Sequence, residues 1–505
     1  MPEALTDIDA SARFDELQRK LVPLWQSIQT MTPDEQTIVV VPSLTLEDTD
    51  WPSSVLQAYE ERFLFLLLLL RQPRARLVYV TSQAVNPSVV DYYLDLLPGV
   101  IPSHARRRLF LVSPLDGSAR PLSEKLLERP RLLERIRGLV LDRDRAHLVP
   151  FNTTELERDL ALALGIPMYG ADPKFFHYGT KSGCRRLFAE ESVRHPFGEE
   201  GLTTIDDVVR AIGRLRAERP ETASAIVKLN EGVSGEGNAS VDLRGLPPSG
   251  SDQEAAAVEE RVRAMAFESP SVHFDAYAQD LAERGGIVEE RIAGGEVRSP
   301  SVQMRVTPLG KLEVLSTHDQ LLGGPSGQSY LGCRFPADPG YAAAITREAV
   351  KVGERLAQEG VLGRFAVDFV AVRSGSGWDP YAIELNLRKG GTTHPFLTLQ
   401  FLTDGVYDAE SGVFTAPSGR PKHFVASDHV ESELYRQLTP DDLFDIAVRR
   451  GLHFDQSRQT GVVFHMMSAL GEHGRTGLTA VAEEPAAADA LYDQVVSVLD
   501  EECSF

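Results

Sequence analysis

Apolar positions in the first third of the chain come in short solid runs rather than in alternation. Ile38 to Val41, Leu77 to Val80 and Leu109 to Val112 are such runs, and Val55 to Leu70 between the first two has helical character. Strands apolar on both faces and separated by helices predict a parallel α/β sheet. Phe63 to Leu70 is apolar at every position and reads as a buried helix, because leucine dominates it and a charged Tyr-Glu-Glu-Arg leads into it.

After residues 166–173 the texture changes to glycine-rich loops, charged strand pairs and longer helices, continuing to about Leu402. Residues 404–420 are dense in Gly, Ser, Asp and Pro. Beyond them the pattern predicts a helix at 440–450, two strands joined at Gly471 to Arg475, and a last helix at 486–499. The expectation is three units, 1–172, 173–405 and 406–505, of mixed α/β and α+β class. Residues 247–253 read as a connector, and no internal repeat is visible.

Composition changes this picture little. At 505 residues the chain is too long for one core, and 42% hydrophobic with 25% charged residues is ordinary for a globular protein. The 52 basic against 73 acidic residues give a net charge of −21 with no cationic run, which disfavours nucleic acid as a partner. Three scattered cysteines, Cys184, Cys333 and Cys503, suggest neither a disulfide framework nor a zinc site built on cysteine. The longest apolar run is far short of a membrane span, and the expected location is cytoplasmic. Nothing in the sequence speaks for or against a homo-oligomer.

Candidate chemistry begins at Lys228, which ends the apolar run Ala225 to Lys228 and precedes a loop holding Gly232, Ser234, Gly235 and Gly237. Glycines let backbone N–H groups approach phosphate oxygens, a serine adds a hydroxyl, and a lysine adds a point charge. A plain hairpin turn would look similar. The spacing is neither GxGxxG nor GxxxxGK[ST], and Gly179-Thr-Lys181-Ser only superficially resembles the latter. A stronger pattern lies in two later β-runs, where Glu384, Asn386 and Arg388 alternate with Leu385 and Leu387, and Asp368 can join them from a neighbouring antiparallel strand. Carboxylates with an amide oxygen suit Mg²⁺, and the guanidinium suits a carboxylate or phosphate.

Taken in order, Lys181, Lys228, the glycine loop and the Asp368, Glu384, Asn386, Arg388 set resemble the ATP-grasp superfamily. The stretches Ser316 to Pro336, Asn386 to Pro395 and His423 to His429 are similar to its pheganomycin-type peptide ligase branch. The resemblance implies a pre-ATP-grasp α/β domain, a two-lobed ATP-grasp domain with ATP between the lobes, and a small C-terminal α+β domain. It implies a carboxylate–amine ligase that forms an amide through an acyl phosphate, with ATP and about two Mg²⁺ as cofactors and amino acids, carboxylic acids or peptides as substrates. Lys181, Lys228 and residues 232–237 would hold the triphosphate, Asp368, Glu384 and Asn386 the metal, and Arg388 the reacting carboxylate. Glu289 would meet the ribose, and the backbone of Glu290 and Ile292 the adenine. His318, Thr392, Thr393 and His394 are expected near the substrate pocket, with either histidine equally readable as structural. Rival readings are a non-catalytic nucleotide binder, a phosphotransferase and an acyl synthetase.

Overall fold

A computed structural model describes residues 7–29, 35–45, 51–232, 235, 237–268, 272–324, 327 and 329–504. Ser234 of the glycine loop lies outside them. The first unit is built on a parallel sheet of four strands, β1 (Gln36–Val41), β2 (Ala75–Val80), β3 (Leu109–Val112) and β4 (Ala146–Pro150), in the order β3-β2-β1-β4. Its apolar runs are solid because both faces are covered: Val39, Val41, Val78 and Val80 enter one core, and Ile38, Val40, Leu77 and Tyr79 another.

The second of those cores holds the run Arg62–Arg71, a helical segment with 3-10 hydrogen bonding in which Leu64, Leu67, Leu68 and Leu70 have no exposed surface. A segment apolar all round has to be covered all round. The sheet covers one side, and the helix Thr393–Thr403 and the C-terminal strands cover the other; Phe65 stacks on Phe401 at 6.4 Å. The charged lead-in is buried too. Glu60 accepts the Ser82 N–H at 2.6 Å, Glu61 accepts the Met467 N–H at 2.7 Å, and Arg62 pairs with Asp428. These side chains tie the beginning of the chain to its end.

A five-stranded antiparallel sheet follows, with β5 (Gly198–Leu202), β6 (Ser224–Leu229), β7 (Asn238–Asp242), β8 (Ala266–Phe267) and β9 (Gly286–Glu290) in the order β5-β9-β6-β7-β8. The next sheet has nine strands. It contains β10 (Val297–Arg298), β11 (Pro300–Val306), β12 (Leu312–Gly323), β13 (Ser329–Phe335), β14 (Gly363–Ser374) and β15 (Gly377–Asn386). Past the small hairpin of β16 (Val406–Asp408) and β17 (Val413–Thr415), it takes in β18 (His423–Glu431), β19 (Gly461–His465) and β20 (Arg475–Ala482). β13 is hydrogen-bonded to β18, so this sheet runs without a break through the change of texture near residue 405. The helices Pro440–Arg449 and Pro485–Cys503 stand where the sequence predicts helices.

Candidate active site

The hairpin β14–β15 alternates apolar and polar side chains. Val367, Phe369 and Leu385 pack into the core beneath the helix Pro339–Gln358, which leaves Asp368, Glu384 and Asn386 on the opposite face. Asp368 stands directly across from Glu384, and Asn386 across from Ala366. A bulge then follows, with Ile383 as the extra residue. The Asn386 amide donates to Asp368 Oδ2 at 3.0 Å. Arg388 lies two residues past the end of β15, with its guanidinium 5.8 Å from the Phe151 ring centroid. Burial, reinforced by the charge of Glu384, pushes the Asp368 carboxyl up to about 7. Burial would also raise Glu384, but Lys181 and Arg388 outweigh it and hold this carboxyl below its ordinary value.

Lys181 is the first residue of the helix Lys181–Glu190, whose N-cap Thr180 accepts the Gly183 N–H at 3.0 Å. This is what the P-loop-like string is: a helix start. A side chain at Gly183 would run into the His177 carbonyl at 1.7 Å, and the first N–H groups are tied to Asn230 at 3.0 Å each. The Lys181 ammonium pairs with Glu384. Lys228, at the end of β6, pairs with Glu289 Oε1 at 2.5 Å, and Arg185 takes the other oxygen of Glu289 at 3.2 Å. Glu289 is only 2% exposed, so the structure corrects its expected place: it anchors two cations and presents no open acceptor to a ribose. The glycine loop joins β6 to β7, and Gly235 and Gly237 take positive φ of 88° and 83°, which other residues adopt only under strain.

These residues line a cavity of about 190 Å³, in which Lys181, Lys228, Gly232 and Gly235 face Asp368, Glu384, Asn386 and Arg388. A second cavity of about 470 Å³ shares Lys181, Gly232, Glu384, Asn386 and Arg388 with it and opens toward residues 152–156 of the first unit. Glu290 and Ile292 are elsewhere. They line an open cleft of about 1500 Å³ between the linker after β9 and the far end of the β14–β15 hairpin. The Glu290 N–H is donated to the Phe197 carbonyl at 2.8 Å and its carboxylate accepts the Phe197 N–H at 2.9 Å. The chain Arg185, Glu289, Lys228 runs from this cleft to the small cavity.

The expected substrate-pocket residues divide. Thr392 lines the small cavity. Thr393 does not; it is 2% exposed and its hydroxyl accepts the Gly390 N–H at 3.0 Å. His318 has no exposed surface, packs among Phe335, Phe396 and Phe424, and is held neutral by burial with its pKa near 3, so it is a core residue and not a pocket wall. His394 is also buried and turns to Asp428 and His465. The cavity residues that the sequence did not assign to it include Arg62, Phe151, Gln320 and Asp428. Arg62 lies under the Tyr59 ring at 4.5 Å, inside the charged lead-in that was read only as the start of a helix.

Two carboxylates and an amide oxygen on one wall form a hard-oxygen donor set, which fits Mg²⁺, and two lysines face it across a cavity, which fits a polyphosphate. A family model described as IQCH-like, ATP-grasp matches residues 175–263 and 252–410, and one for the PGM1 C-terminal domain matches 442–495. The L-propargylglycine–L-glutamate ligase of Streptantibioticus cattleyicolor is 34% identical over 437 residues, covering 85% of this chain and 86% of that enzyme. The chain belongs to the ATP-grasp superfamily. It is an ATP-dependent ligase that forms C–N bonds. The IQ motif-containing protein H of Danio rerio is 22% identical over 97% of the chain but only half of that protein. Among solved structures, a Campylobacter jejuni biotin carboxylase matches with a TM-score of 0.55 at 12% identity over 93% of this chain and 95% of that one. An ADP complex of an N5-carboxyaminoimidazole ribonucleotide synthetase matches at 0.52 and 10% identity over 93% and 98%. Both show the ATP-grasp fold. Among the described residues, no helix is long and apolar enough to cross a membrane.

Proposed function

We propose that this ligase activates the carboxylate of an amino acid or small peptide and joins it to the amine of a second one in the small cavity. The observation that carries the reading is the single wall formed by Asp368, Glu384, Asn386 and Arg388 facing Lys181 and Lys228. Lys181 and Lys228 hold the triphosphate, exchanging Glu384 and Glu289 for phosphate oxygens as it enters. Asp368, Glu384 and Asn386 would hold about two Mg²⁺, which would supply positive charge against the triphosphate. The base lies in the linker cleft against the Glu290 carbonyl and Ile292, and the nucleotide crosses the Lys228–Glu289 pair to reach the cavity. Arg388 orients the acyl donor's carboxylate as its oxygen attacks the γ-phosphorus and ADP leaves. The same guanidinium then stabilises the tetrahedral oxyanion as the amine attacks the acyl carbon and phosphate departs. Three units, 1–172, 173–405 and 406–505, remain our division of the chain.

The class of substrate rests on the relative, whose name gives two amino acids. The test is a panel of amino acids and dipeptides with Mg-ATP, scored for phosphate release and for product mass. Phosphate and ADP formed together with a mass equal to donor plus acceptor minus water is the expected result. AMP formation, a CoA requirement, or no turnover with any pair would sink the proposal.

A further inference from the structure

Beside the ATP-grasp cavity, and sharing Asp428 with it, three potential metal ligands converge where three elements meet. His394 comes from the first turn of the helix Thr393–Thr403, Asp428 from β18 and His465 from the end of β19. All three are buried, with side-chain exposures of 5%, 2% and 4%. His394 Nε2 lies 3.1 Å from His465 Nε2, His465 Nε2 lies 2.8 Å from Asp428 Oδ1, and His394 Nε2 lies 3.4 Å from the same oxygen.

Hydrogen bonds alone do not account for this triangle. Each neutral imidazole carries one proton on one of its two nitrogens. If both rings are protonated at Nε2, both protons aim at Asp428 and the two nitrogens repel each other across 3.1 Å. If only His465 is, its single proton has to serve both Asp428 at 2.8 Å and His394 at 3.1 Å; if only His394 is, the His465 lone pair meets the Asp428 carboxylate at 2.8 Å. We propose that His394 Nε2, His465 Nε2 and Asp428 Oδ1 bind a divalent transition-metal ion of the zinc type.

One cation satisfies all three atoms at once. A triangle with these sides has a point about 1.8 Å from each corner, so an ion about 2.0–2.1 Å from each ligand stands about 1 Å out of their plane, a tetrahedral arrangement with one position left. Two imidazoles and one carboxylate suit zinc, or cobalt and nickel in its place, better than the Mg²⁺ of the oxygen-lined wall. Asp428 is oriented by Arg62 on its second oxygen, the kind of outer support that ligating carboxylates have. β20 makes room for the second ring: a Cβ on Gly477 would stand 2.1 Å from His465 Nε2. The ion joins the helix after Arg388 to two strands of the C-terminal region, and its ligand Asp428 also lines the reaction cavity with Thr392.

The test is metal content of the full-length protein grown with added zinc and desalted in Mg²⁺ buffer. About one zinc per chain is expected in the native protein and in Glu384→Gln, and less than about a tenth in His394→Gln and His465→Gln that melt cooperatively. Cobalt added to zinc-free native protein should give the visible bands of a tetrahedral site, absent from the histidine variants. Native protein that takes up no zinc and shows no cobalt bands overturns the proposal. So does zinc retained in folded histidine variants, or zinc lost in Glu384→Gln, which would put the ion on the nucleotide wall. If the histidine variants do not fold, zinc-soaked crystals of the native protein decide: an anomalous peak bonded to both Nε2 atoms supports the site, and its absence overturns it.

Discussion

The small cavity and the linker cleft are built on opposite principles. In the cavity the buried charges oppose one another: Lys181 pairs with Glu384, Lys228 with Glu289 and Arg62 with Asp428, while Arg388 feels the negative charge of Glu384 and Asp368. The linker cleft is about 1500 Å³, against about 190 Å³, and its walls are loops such as Glu290 to Gly294. The difference separates chemistry from recognition. Buried paired charges are costly to disturb and hold their geometry until a ligand of matching charge replaces one partner. An open, loop-lined cleft can accept a flat base through backbone groups and apolar contact without that exchange.

The largest expected effect follows from breaking the cavity's balance. Glu384→Gln keeps the shape, removes one of the two carboxylates we propose to hold the metal, and leaves Lys181 without its anion. Turnover should fall by about 10³-fold, on the scale of the several kcal/mol that a metal clamp supplies. Adenosine binding, measured by calorimetry, should change little, since the linker cleft is untouched. Equal loss of both would mean that the two regions are not separable. Arg388→Ala comes next, with kcat down by about 10²-fold, the scale of losing one donor to a developing oxyanion, and the ATP KM nearly constant. A raised KM at unchanged kcat would place Arg388 on the nucleotide instead of the acyl group.

The cavity should also show its charge coupling in pH. Asp368 titrates near 7 in the folded, metal-free protein, above its ordinary value of 3.8, because burial disfavours its anion. Below that pH the carboxyl is protonated, and Mg²⁺ has to displace the proton. Mg²⁺ affinity should therefore weaken as pH falls, by up to about tenfold per unit below 7, and level off above it. By the same sign, the cost of the buried anion to folding is absent below the unfolded pKa and grows as pH rises toward 7. Mg²⁺ titrations between pH 5.5 and 8.5 measure the slope; a flat profile would remove Asp368 from the metal set.

How much of this was legible follows from how local each signal is. The strands β1 to β3 were readable because both faces of a parallel sheet are buried, and the wall of Asp368, Glu384 and Asn386 because a strand sends alternate residues to one side. The pairing of Arg62 with Asp428 spans 366 residues and left no local trace. The same holds for β13 on β18, where hydrogen bonding, not composition, carries the sheet across residue 405. His318 was placed near the pocket only by its position in the resembling stretch, and its ring, surrounded by phenylalanines in space, takes the structural role that was the other reading.

The smallest effect belongs to the linker cleft and tests the comparison from its other side. Ile292 is half-buried along that cleft and touches neither the lysines nor the metal wall in the small cavity. Ile292→Ala removes three carbons of apolar surface, about 1–2 kcal/mol if a base covers it fully. A base that leaves the side chain half exposed would lose less, so the ATP KM should rise about three- to tenfold while kcat holds. Steady-state kinetics with ATP varied and both amino acids saturating separate the two terms. A fall in kcat of the size seen for Arg388→Ala would mean that the base, and not only the triphosphate, sets the geometry of the reacting atoms. The division between a rigid charged cavity and a permissive cleft would then fail at the residue chosen to be farthest from the chemistry.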